Sequence, residues 1–236
     1  MQISGFIKNS LIDYPGNIAS VVFTQACNMS CKYCHNWELI PKYHPMGDSI
    51  NETEVLDYLK KAKGFIDALV ITGGEPTVQL DLTAFIRKVK ELGLLVKLDT
   101  NGTNPKLLRI LLQQNLIDYV AMDLKTVPEL SAYKRIVGNQ FTEIQLMNVK
   151  KSIAILKGSS TAVEFRTTLI RECHSEADIR KMCEVLEGDC KYSLQLFSPA
   201  KVLDSSFANY SSYTHLEVEE IIKSNKDLNC NINQIG

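Results

Sequence analysis

The sequence predicts an α/β protein whose parallel sheet curves into a barrel or partial barrel. Continuous apolar runs, such as the one at residues 68–71, have the composition of strands that are buried on both faces. Helical patterns of about ten or more residues separate successive runs, so each strand can follow the previous one through a right-handed crossover. Six such units favour a barrel or partial barrel over a flat sheet.

The elements follow one another with few interruptions. Residues 2–17 contain a Pro-Gly turn and are expected to form an N-terminal hairpin that covers one end of the core. Strands are predicted at 18–25, 67–72, 94–100, 118–124, 162–169 and 190–197. Helices are predicted at 51–63, 80–92, 105–114, 145–157 and 175–187. A polar loop at 198–213 leads to a C-terminal helix at 215–225. We predict a single domain over 1–236, with its core at about 18–197.

Composition excludes several classes of protein. The 26 basic and 27 acidic residues leave a net charge of -1, without the basic excess that nucleic-acid binding favours. No apolar run approaches the roughly 20 residues of a membrane span, and the N-terminus lacks the regions of a secretory signal. Seven cysteines, three of them clustered, argue against a disulfide framework. We expect a cytoplasmic protein with neither a nucleic-acid nor a membrane partner.

The cysteine cluster directly follows the first predicted barrel strand. Cys27, Cys31 and Cys34 can each bind one iron of a [4Fe–4S] cluster, whose usual complement is four cysteines. The fourth iron is then open to a ligand that is not protein, as at catalytic metal sites. The alternatives are a haem attached through Cys31, Cys34 and His35, a zinc site completed by His35, and three structural cysteines. Haem attachment requires export, for which the sequence shows no signal.

The spacing Cys-x3-Cys-x2-Cys, with Tyr33 before the last cysteine, resembles the signature of radical S-adenosylmethionine enzymes. The run at 31–36 is similar to that of the glycyl-radical-enzyme activases within that family. The resemblance implies a partial (β/α)6 barrel of the radical S-adenosylmethionine type. It also implies that the cofactor's amino and carboxylate groups chelate the open iron. One electron from the cluster then cleaves the cofactor to a 5′-deoxyadenosyl radical, which abstracts hydrogen.

The second predicted strand ends in a Gly-Gly-Glu-Pro motif at residues 73–76. In parallel barrels, ligands bind at the C-terminal ends of the strands. Gly73 and Gly74 let the backbone approach a ligand, and bare carbonyls together with Glu75 suit a cationic amine. The family resemblance implies that this motif holds the cofactor's amino group. The alternative is a tight turn.

The third and fourth strand ends carry Asp99, Thr100 and Asn101, and then Asp123 and Lys125. These runs resemble activase motifs, which implies that they bind the cofactor. Turn formation or helix capping is the alternative for Asp99 and Asn101, and a surface charge is the alternative for Asp123. If both aspartates face the cofactor's carboxylate, three negative groups converge, and Lys125 alone need not offset them. We therefore expect a bound monovalent cation between the carboxylates.

The last two predicted strands give weaker sequence evidence for cofactor contacts. Alternation puts Glu164, Arg166 and Thr168 on one side of the fifth strand. Arg166 meets the cofactor's carboxylate, as the resemblance implies, or it pairs with Glu164. Phe197 or Gln195 is expected at the adenine, because the histidine that related activases carry near this place is missing.

The remaining cysteines could bind a second cluster, or they could be ordinary partly buried cysteines. Their irregular spacing favours the second interpretation. They are Cys173, Cys183, Cys190 and Cys230. The segment 127–141 contains a Tyr-Lys-Arg run at 133–135 that looks too polar for a core. We expect it to form part of a docking surface, with the loop at 37–47 on the other flank.

The resemblance implies a macromolecular substrate. It points to hydrogen abstraction from a glycine of a partner enzyme, the anaerobic ribonucleotide reductase above all, with a flavodoxin or ferredoxin-type protein as electron donor. One alternative is a radical enzyme that modifies a small molecule or a peptide. A non-catalytic iron–sulfur or zinc regulator is the other, although it would have no use for the motifs at successive strand ends.

Overall fold

The computed structural model describes residues 1–45, 47, 49–225, 228 and 230–235. Its centre is an eight-stranded sheet in which the strands lie side by side in chain order. The strands are β1 (Ile3–Ser10), β2 (Ala19–Thr24), β3 (Ala68–Gly73), β4 (Leu95–Thr100), β5 (Tyr119–Asp123), β6 (Ala162–Leu169), β7 (Gly188–Leu196) and β8 (Cys230–Ile235). β1 is antiparallel to β2, and every later pair is parallel. The predicted α/β partial barrel is confirmed.

Seven helices accompany the strands: α1 (Glu52–Lys61), α2 (Leu82–Glu91), α3 (Pro105–Gln113), α4 (Leu130–Val137), α5 (Glu143–Lys157), α6 (Glu176–Val185) and α7 (His215–Ser224). Each helix buries an apolar stripe, as Leu82, Phe85 and Val89 do on α2. The main core lies between these stripes and the sheet. None of the helices in the described ranges is long and apolar enough to cross a membrane.

The N-terminal segment covers one end of the barrel interior, as predicted. It does so by pairing β1 with β2, and the turn between them places Tyr14 under the start of the sheet. The Tyr14 ring lies 5.6 Å from that of Tyr119, and Lys97 Nζ donates a 2.6 Å hydrogen bond to the Asp13 carbonyl. This plug lies at the N-terminal ends of the parallel strands, opposite the predicted ligand face.

Sequence analysis missed the strand β8. All six predicted parallel strands are present as β2–β7, and β8 adds a seventh beside β7. Its sequence, Cys-Asn-Ile-Asn-Gln-Ile, contains only two aliphatic residues, so it lacks the continuous apolar run that marked the other parallel strands. A short polar strand at the edge of a sheet gives little signal in the sequence.

The prediction that the run at 133–135 is too polar for a core is wrong for Tyr133, whereas the docking role of the segment 127–141 stays a prediction. Residues 130–137 form α4, and Tyr133 is fully buried, with its ring stacked 4.7 Å from that of Phe141. A helical period turns Tyr133 inward and leaves Arg135 exposed, so a run that looked polar in sequence has a buried face. Arg135 Nη2 donates to the Cys173 carbonyl at 2.5 Å, which anchors the helix.

Candidate active site

The C-terminal strand ends surround a cavity of about 290 Å³. Nearly all the residues predicted from strand ends line this cavity, together with the cysteine loop. They are Cys27, Cys31, Tyr33, Cys34, Gly73, Gly74, Glu75, Asp99, Thr100, Asn101, Asp123, Lys125 and Arg166. Met29, His35, Asn36, Ile40, Thr72, Thr168 and Gln195 complete the wall. The topology alone brings these residues together, because parallel strands end on one face.

The cysteine loop is held in place by main-chain hydrogen bonds from distant segments. Ala26, at a left-handed φ of 66°, turns the chain out of β2, and its amide donates to the Leu39 carbonyl at 2.8 Å. The Lys32 amide donates to the Ile136 carbonyl at the end of α4, at 2.9 Å. The Lys32 carbonyl accepts from the Asp204 amide, also at 2.9 Å. The loop therefore has a defined path that does not depend on its side chains.

The three thiols fit a positively charged cluster. Burial raises the pKa of Cys27 to about 12, and the neighbouring Cys31 and Glu75 add to the rise. Burial also raises the pKa of Cys31 to about 11, although Lys125 opposes it. Such thiols become thiolates when a metal centre supplies the compensating charge.

The thiols do not converge on one point. Among the described residues, no three Cys, His, Asp or Glu side chains are arranged to hold a single metal ion. A cubane cluster binds each thiolate to a different iron, so it does not require that convergence. Cys27, Cys31 and Cys34 could therefore hold such a cluster at the wall of the cavity.

Gly73 and Gly74 let two backbones pack closely. The Gly74 amide donates to the Thr24 carbonyl at 2.9 Å, and the Glu75 amide donates to the Ala26 carbonyl at 2.8 Å. A Cβ on Gly74 would lie 2.0 Å from Ala26 O, and a Cβ on Gly73 would lie 2.4 Å from Thr24 N. The sequence suggested that these glycines make room for a ligand. The structure shows that they also bring β3 against the segment that leads into the cysteines.

Glu75 ties the ends of β3 and β4 together. Its carboxylate is buried and accepts hydrogen bonds from Thr77 N (3.1 Å), Thr77 Oγ1 (2.5 Å), Thr100 Oγ1 (2.7 Å) and Asn101 N (2.7 Å). Burial raises the pKa of Glu75, and these hydrogen bonds act in the opposite direction. Four donors occupy most of the capacity of one carboxylate. Its contact with a cationic amine stays a prediction.

Asn101 connects this cluster to the cysteine loop. Its Oδ1 accepts from Thr103 N at 3.0 Å and from Thr103 Oγ1 at 2.6 Å. Its Nδ2 donates to Asn28 Oδ1 at 2.9 Å and lies 4.0 Å from Cys27 Sγ. Asn28 Nδ2 in turn donates to Thr103 Oγ1 at 2.7 Å. Neither Asn28 nor Thr103 was predicted, because Asn28 occupies an unspecified position of the cysteine motif and Thr103 lies outside the predicted motifs.

Charged side chains form the floor of the cavity. Arg166 Nη2 lies 3.3 Å from Asp99 Oδ2 and 3.0 Å from Asp123 Oδ1. Lys97 Nζ lies 3.2 Å from Asp99 Oδ1, and Lys125 Nζ lies 2.9 Å from Asp123 Oδ2. Burial opposes ionisation of Asp123, but Lys125 and Arg166 outweigh it and lower the pKa of Asp123 to about 2. Both aspartates are thus paired carboxylates rather than surface charges.

Lys97 was missed, although strand alternation would have found it. It lies two residues before Asp99 on β4, so both side chains enter the barrel. The alternative pairing of Arg166 with Glu164 is wrong. Glu164 accepts hydrogen bonds from Ser193 and from Tyr119 OH, and its Oε1 lies 2.9 Å from Lys191 Nζ.

The aromatic residues predicted at the site divide into two groups. Tyr33 is buried in the cavity wall, with Lys125 Nζ 5.7 Å from its ring centre, and burial raises the pKa of Tyr33. Phe197 lies outside the cavity lining and stacks on His35, with ring centres 6.4 Å apart. His35 Nε2 donates to the Ser198 carbonyl at 2.9 Å. Of the two residues suggested for the adenine, the cavity wall therefore includes Gln195 and not Phe197.

The later cysteines lie on other elements. Cys173 and Cys183 are buried in the apolar core, and Cys190 packs against it partly buried. These are the surroundings of ordinary core cysteines. The side chain of Cys230 lies outside the described part of the chain.

Comparison with known proteins identifies the class. The model of the radical SAM (S-adenosylmethionine) superfamily matches residues 21–178, which include the cysteine loop, Asp99, Asp123 and Arg166. The chain belongs to this superfamily and is a radical SAM enzyme.

Three relatives are similar to this chain over 41% to 94% of its length. A Methanocaldococcus jannaschii protein named as a candidate glycyl-radical enzyme activating enzyme is 36% identical over 224 residues, covering 94% of this chain and 90% of the relative. A Haemophilus influenzae protein with the same description is 32% identical over 97 residues, covering 41% of this chain and 37% of the relative. A Thermococcus kodakarensis protein named as a candidate GTP 3′,8-cyclase is 26% identical over 211 residues, covering 85% and 63%.

Solved structures share the fold. SuiB of Streptococcus suis with bound S-adenosylmethionine superposes with a TM-score of 0.69 at 16% identity, over 92% of this chain and 50% of SuiB. A radical SAM methyltransferase from Sphaerobacter thermophilus gives 0.65 at 15% identity, over 94% and 67%. The chain spans about half the length of SuiB, and at these identities the likeness concerns the fold alone.

Proposed function

We propose that Cys27, Cys31 and Cys34 hold a [4Fe–4S] cluster and that S-adenosylmethionine binds in the adjoining cavity. The observation that carries this proposal is the shared wall: three thiols and five polar strand ends line one cavity of about 290 Å³. When bound, the cluster supplies the electron that cleaves S-adenosylmethionine, and the resulting 5′-deoxyadenosyl radical abstracts a hydrogen atom. The chain's own residues position the reactants and limit the access of water.

The two ends of the cofactor meet different chemistry in this proposal. Gly73, Gly74 and Glu75 face its amino group, and Lys125 and Arg166 attract its carboxylate. Of the three positive side chains that pair with Asp99 and Asp123, Lys125 and Arg166 line the cavity and can attract an incoming carboxylate. Other residues of the cavity wall have smaller roles in this proposal. Tyr33, Thr100 and Asn101 shape the pocket, and Gln195 is the candidate for contact with the adenine.

Anaerobic reconstitution tests the cluster. We expect about four irons per chain and reductive cleavage of S-adenosylmethionine. The Cys31→Ser variant should lose both, and Cys173→Ser, at a buried cysteine on another element, should keep both. Iron near eight per chain would make the later cysteines ligands, and unchanged iron in Cys31→Ser would refute the assignment.

The substrate is proposed to be a glycine of a partner enzyme, most of all an anaerobic ribonucleotide reductase. The M. jannaschii relative, which matches over nearly the whole chain, supports a glycyl-radical enzyme as the partner. The choice of the anaerobic ribonucleotide reductase rests on the resemblance of the sequence motifs alone. We further infer a flavodoxin or ferredoxin-type electron donor, a cytoplasmic location and a single domain. Affinity capture under anaerobic conditions, followed by electron paramagnetic resonance of the captured enzyme, tests the substrate. A glycyl radical that requires both this chain and S-adenosylmethionine is the expected result.

A small-molecule substrate is the second candidate. The T. kodakarensis relative supports it, since it covers 85% of this chain. Product analysis with a partner enzyme whose glycines carry deuterium separates the two. Abstraction from the glycine transfers deuterium to 5′-deoxyadenosine, whereas abstraction from an unlabelled small molecule leaves 5′-deoxyadenosine without deuterium.

The monovalent cation predicted between Asp99 and Asp123 has lost its electrostatic ground. That prediction counted Lys125 alone against Asp99, Asp123 and the cofactor's carboxylate. Lys97 and Arg166 also pair with them.

A further inference from the structure

We propose that the guanidinium of Arg166 takes the place of a metal cation between Asp99 and Asp123, so that this chain works without potassium or sodium at that position. The inference rests on the proposed function only where it concerns the bound cofactor. The occupation of the carboxylate pair is a property of the chain itself.

The first ground is the position of one nitrogen atom. Arg166 Nη2 lies between the two carboxylates, 3.3 Å from Asp99 Oδ2 and 3.0 Å from Asp123 Oδ1. Nε lies 3.1 Å from the same Asp123 oxygen, and Nη1 lies 3.3 Å from the same Asp99 oxygen. A metal ion that bridged these two oxygens would need the space that Nη2 fills. The planar guanidinium offers several donors at once, which suits a bridge between two carboxylates.

The second ground is that the remaining oxygens are also paired. Asp99 Oδ1 lies 3.2 Å from Lys97 Nζ, and Asp123 Oδ2 lies 2.9 Å from Lys125 Nζ. Each of the four carboxylate oxygens therefore has a cationic partner. Among the described residues, Asp99 Oδ1 accepts no hydrogen bond, so Lys97 acts on it through charge alone. A metal ion here would meet three positive groups, which like-charge repulsion disfavours.

The third ground is that the backbone fixes the bridge. β5 and β6 are parallel, and their register places Asp123 beside Arg166. The Leu124 amide donates to the Arg166 carbonyl at 2.9 Å, which extends this pairing beyond the strand. The three side chains are mostly buried, Arg166 at 15%, Asp99 at 14% and Asp123 at 30% exposed. A guanidinium keeps its charge at every pH that a cell experiences, so the bridge does not depend on the protonation state of Arg166.

Melting of the apoprotein tests the bridge without any cofactor. Chlorides of potassium, sodium and tetramethylammonium are compared at constant ionic strength. The unchanged chain should melt within about 1 °C in all three, whereas Arg166→Ala and Arg166→Gln should gain roughly 3 °C or more in the alkali salts. Arg171→Ala is the control, because that arginine pairs with Glu217 at the surface and its loss should create no preference among the salts.

Cleavage of S-adenosylmethionine by the reconstituted protein gives a second readout. Replacing potassium by tetramethylammonium should change the wild-type rate by less than about twofold. Arg166→Ala should be slower and should recover part of its rate when potassium or sodium is added, whereas Arg171→Ala should behave as wild type.

Two results would overturn the proposal. One is an alkali-metal requirement of about tenfold or more in the wild-type chain, and the other is a saturable rise in its apoprotein melting temperature with potassium or sodium. If the Arg166 variants do not fold, the wild-type comparison decides by itself. If no salt supports cofactor cleavage, the proposed function fails, and the apoprotein melts still decide the role of Arg166.

Discussion

The two ends of the barrel interior are filled in different ways. At the N-terminal ends of the strands, Tyr14, Val21 and Val70 pack as a small apolar cluster, with Tyr119 partly buried against it. At the C-terminal ends, glycines and paired charges surround a cavity of about 290 Å³. Lys97 spans the boundary, since its Nζ contacts both the Asp13 carbonyl and Asp99.

The same strands build both ends, so the difference comes from side-chain volume and charge. A closed end needs bulk that fills space at the density of a protein interior. A ligand-binding end needs space that side chains do not fill. Its remaining buried polar groups must form hydrogen bonds or ion pairs with one another. We therefore expect changes at the closed end to affect stability alone, and changes at the open end to affect both stability and cofactor chemistry.

The largest effect is expected from Gly74→Ala at the open end. Its new Cβ would meet Ala26 O at 2.0 Å, so the segment that enters the cysteine loop must shift. We expect a loss of about 3 kcal/mol or more in the free energy of unfolding. Iron content after reconstitution should fall with it. Gly158→Ala is the matched control, because its Cβ would meet nothing closer than 3.6 Å. Full iron binding by the Gly74 variant would contradict the role of this backbone contact.

A smaller effect, confined to stability, is expected from Tyr14→Ala at the closed end. The change removes a buried ring and should cost about 3 kcal/mol, without loss of iron. Chemical denaturation measures the stability, and the rate of cofactor cleavage per bound cluster should stay at the wild-type value. Ile12→Ser, in the same turn but 90% exposed, should change neither quantity. A slower rate per cluster in the Tyr14 variant would mean that the two ends are coupled.

Acid should destabilise the fold at His174, which donates a hydrogen bond to the Lys125 carbonyl. His174 Nδ1 accepts from the Ile170 amide, and Nε2 donates to the Lys125 carbonyl, so the fold uses the neutral ring. Burial lowers the pKa of His174 from 6.5 to about 4. Because the unfolded chain takes up this proton first, stability falls as the pH drops from about 6.5 towards 4.

Between pH 7.5 and 5 we expect His174 to contribute a loss of about 2 kcal/mol. Denaturation at several pH values measures it. The His174→Gln variant should be less stable at neutral pH but should lack this part of the pH dependence. Identical pH dependence in both proteins would show that other groups are responsible.

The smallest effect is expected from Tyr133→Phe, on the helix that supports the cysteine loop. Within the described part of the chain, no partner lies in hydrogen-bonding geometry around this buried hydroxyl. The Lys125 main chain is close enough to lower the pKa of Tyr133, although burial dominates and raises it. Removing an unpaired hydroxyl should change the free energy of unfolding by less than about 0.5 kcal/mol. A loss above about 1 kcal/mol would reveal a bond to Lys125.

Features that depend on local interactions were predictable from the sequence, whereas features that depend on contacts between distant residues were not. The strands with continuous apolar runs were predicted within a few residues, as at Ala68–Gly73, because burial on both faces leaves a local signal. The helix predicted from residue 51 is α1, whose N-terminus Asn51 caps by accepting from the Thr53 amide at 2.9 Å. β8 and α4 were missed because a short polar edge strand and a charged helix with a buried face give weak local signals.

By itself, the sequence determined which residues would meet at the site. Parallel strands must end on one face, so the motifs at Gly73, Asp99 and Asp123 had to converge beside the cysteines. Only the tertiary structure decided which charged and polar side chains contact one another. Arg166 bridges the two aspartates and Glu75 joins two strand ends, and neither follows from spacing. The physical reason is that a buried charge takes the nearest partner in space, and that distance is set by register and packing rather than by position along the chain.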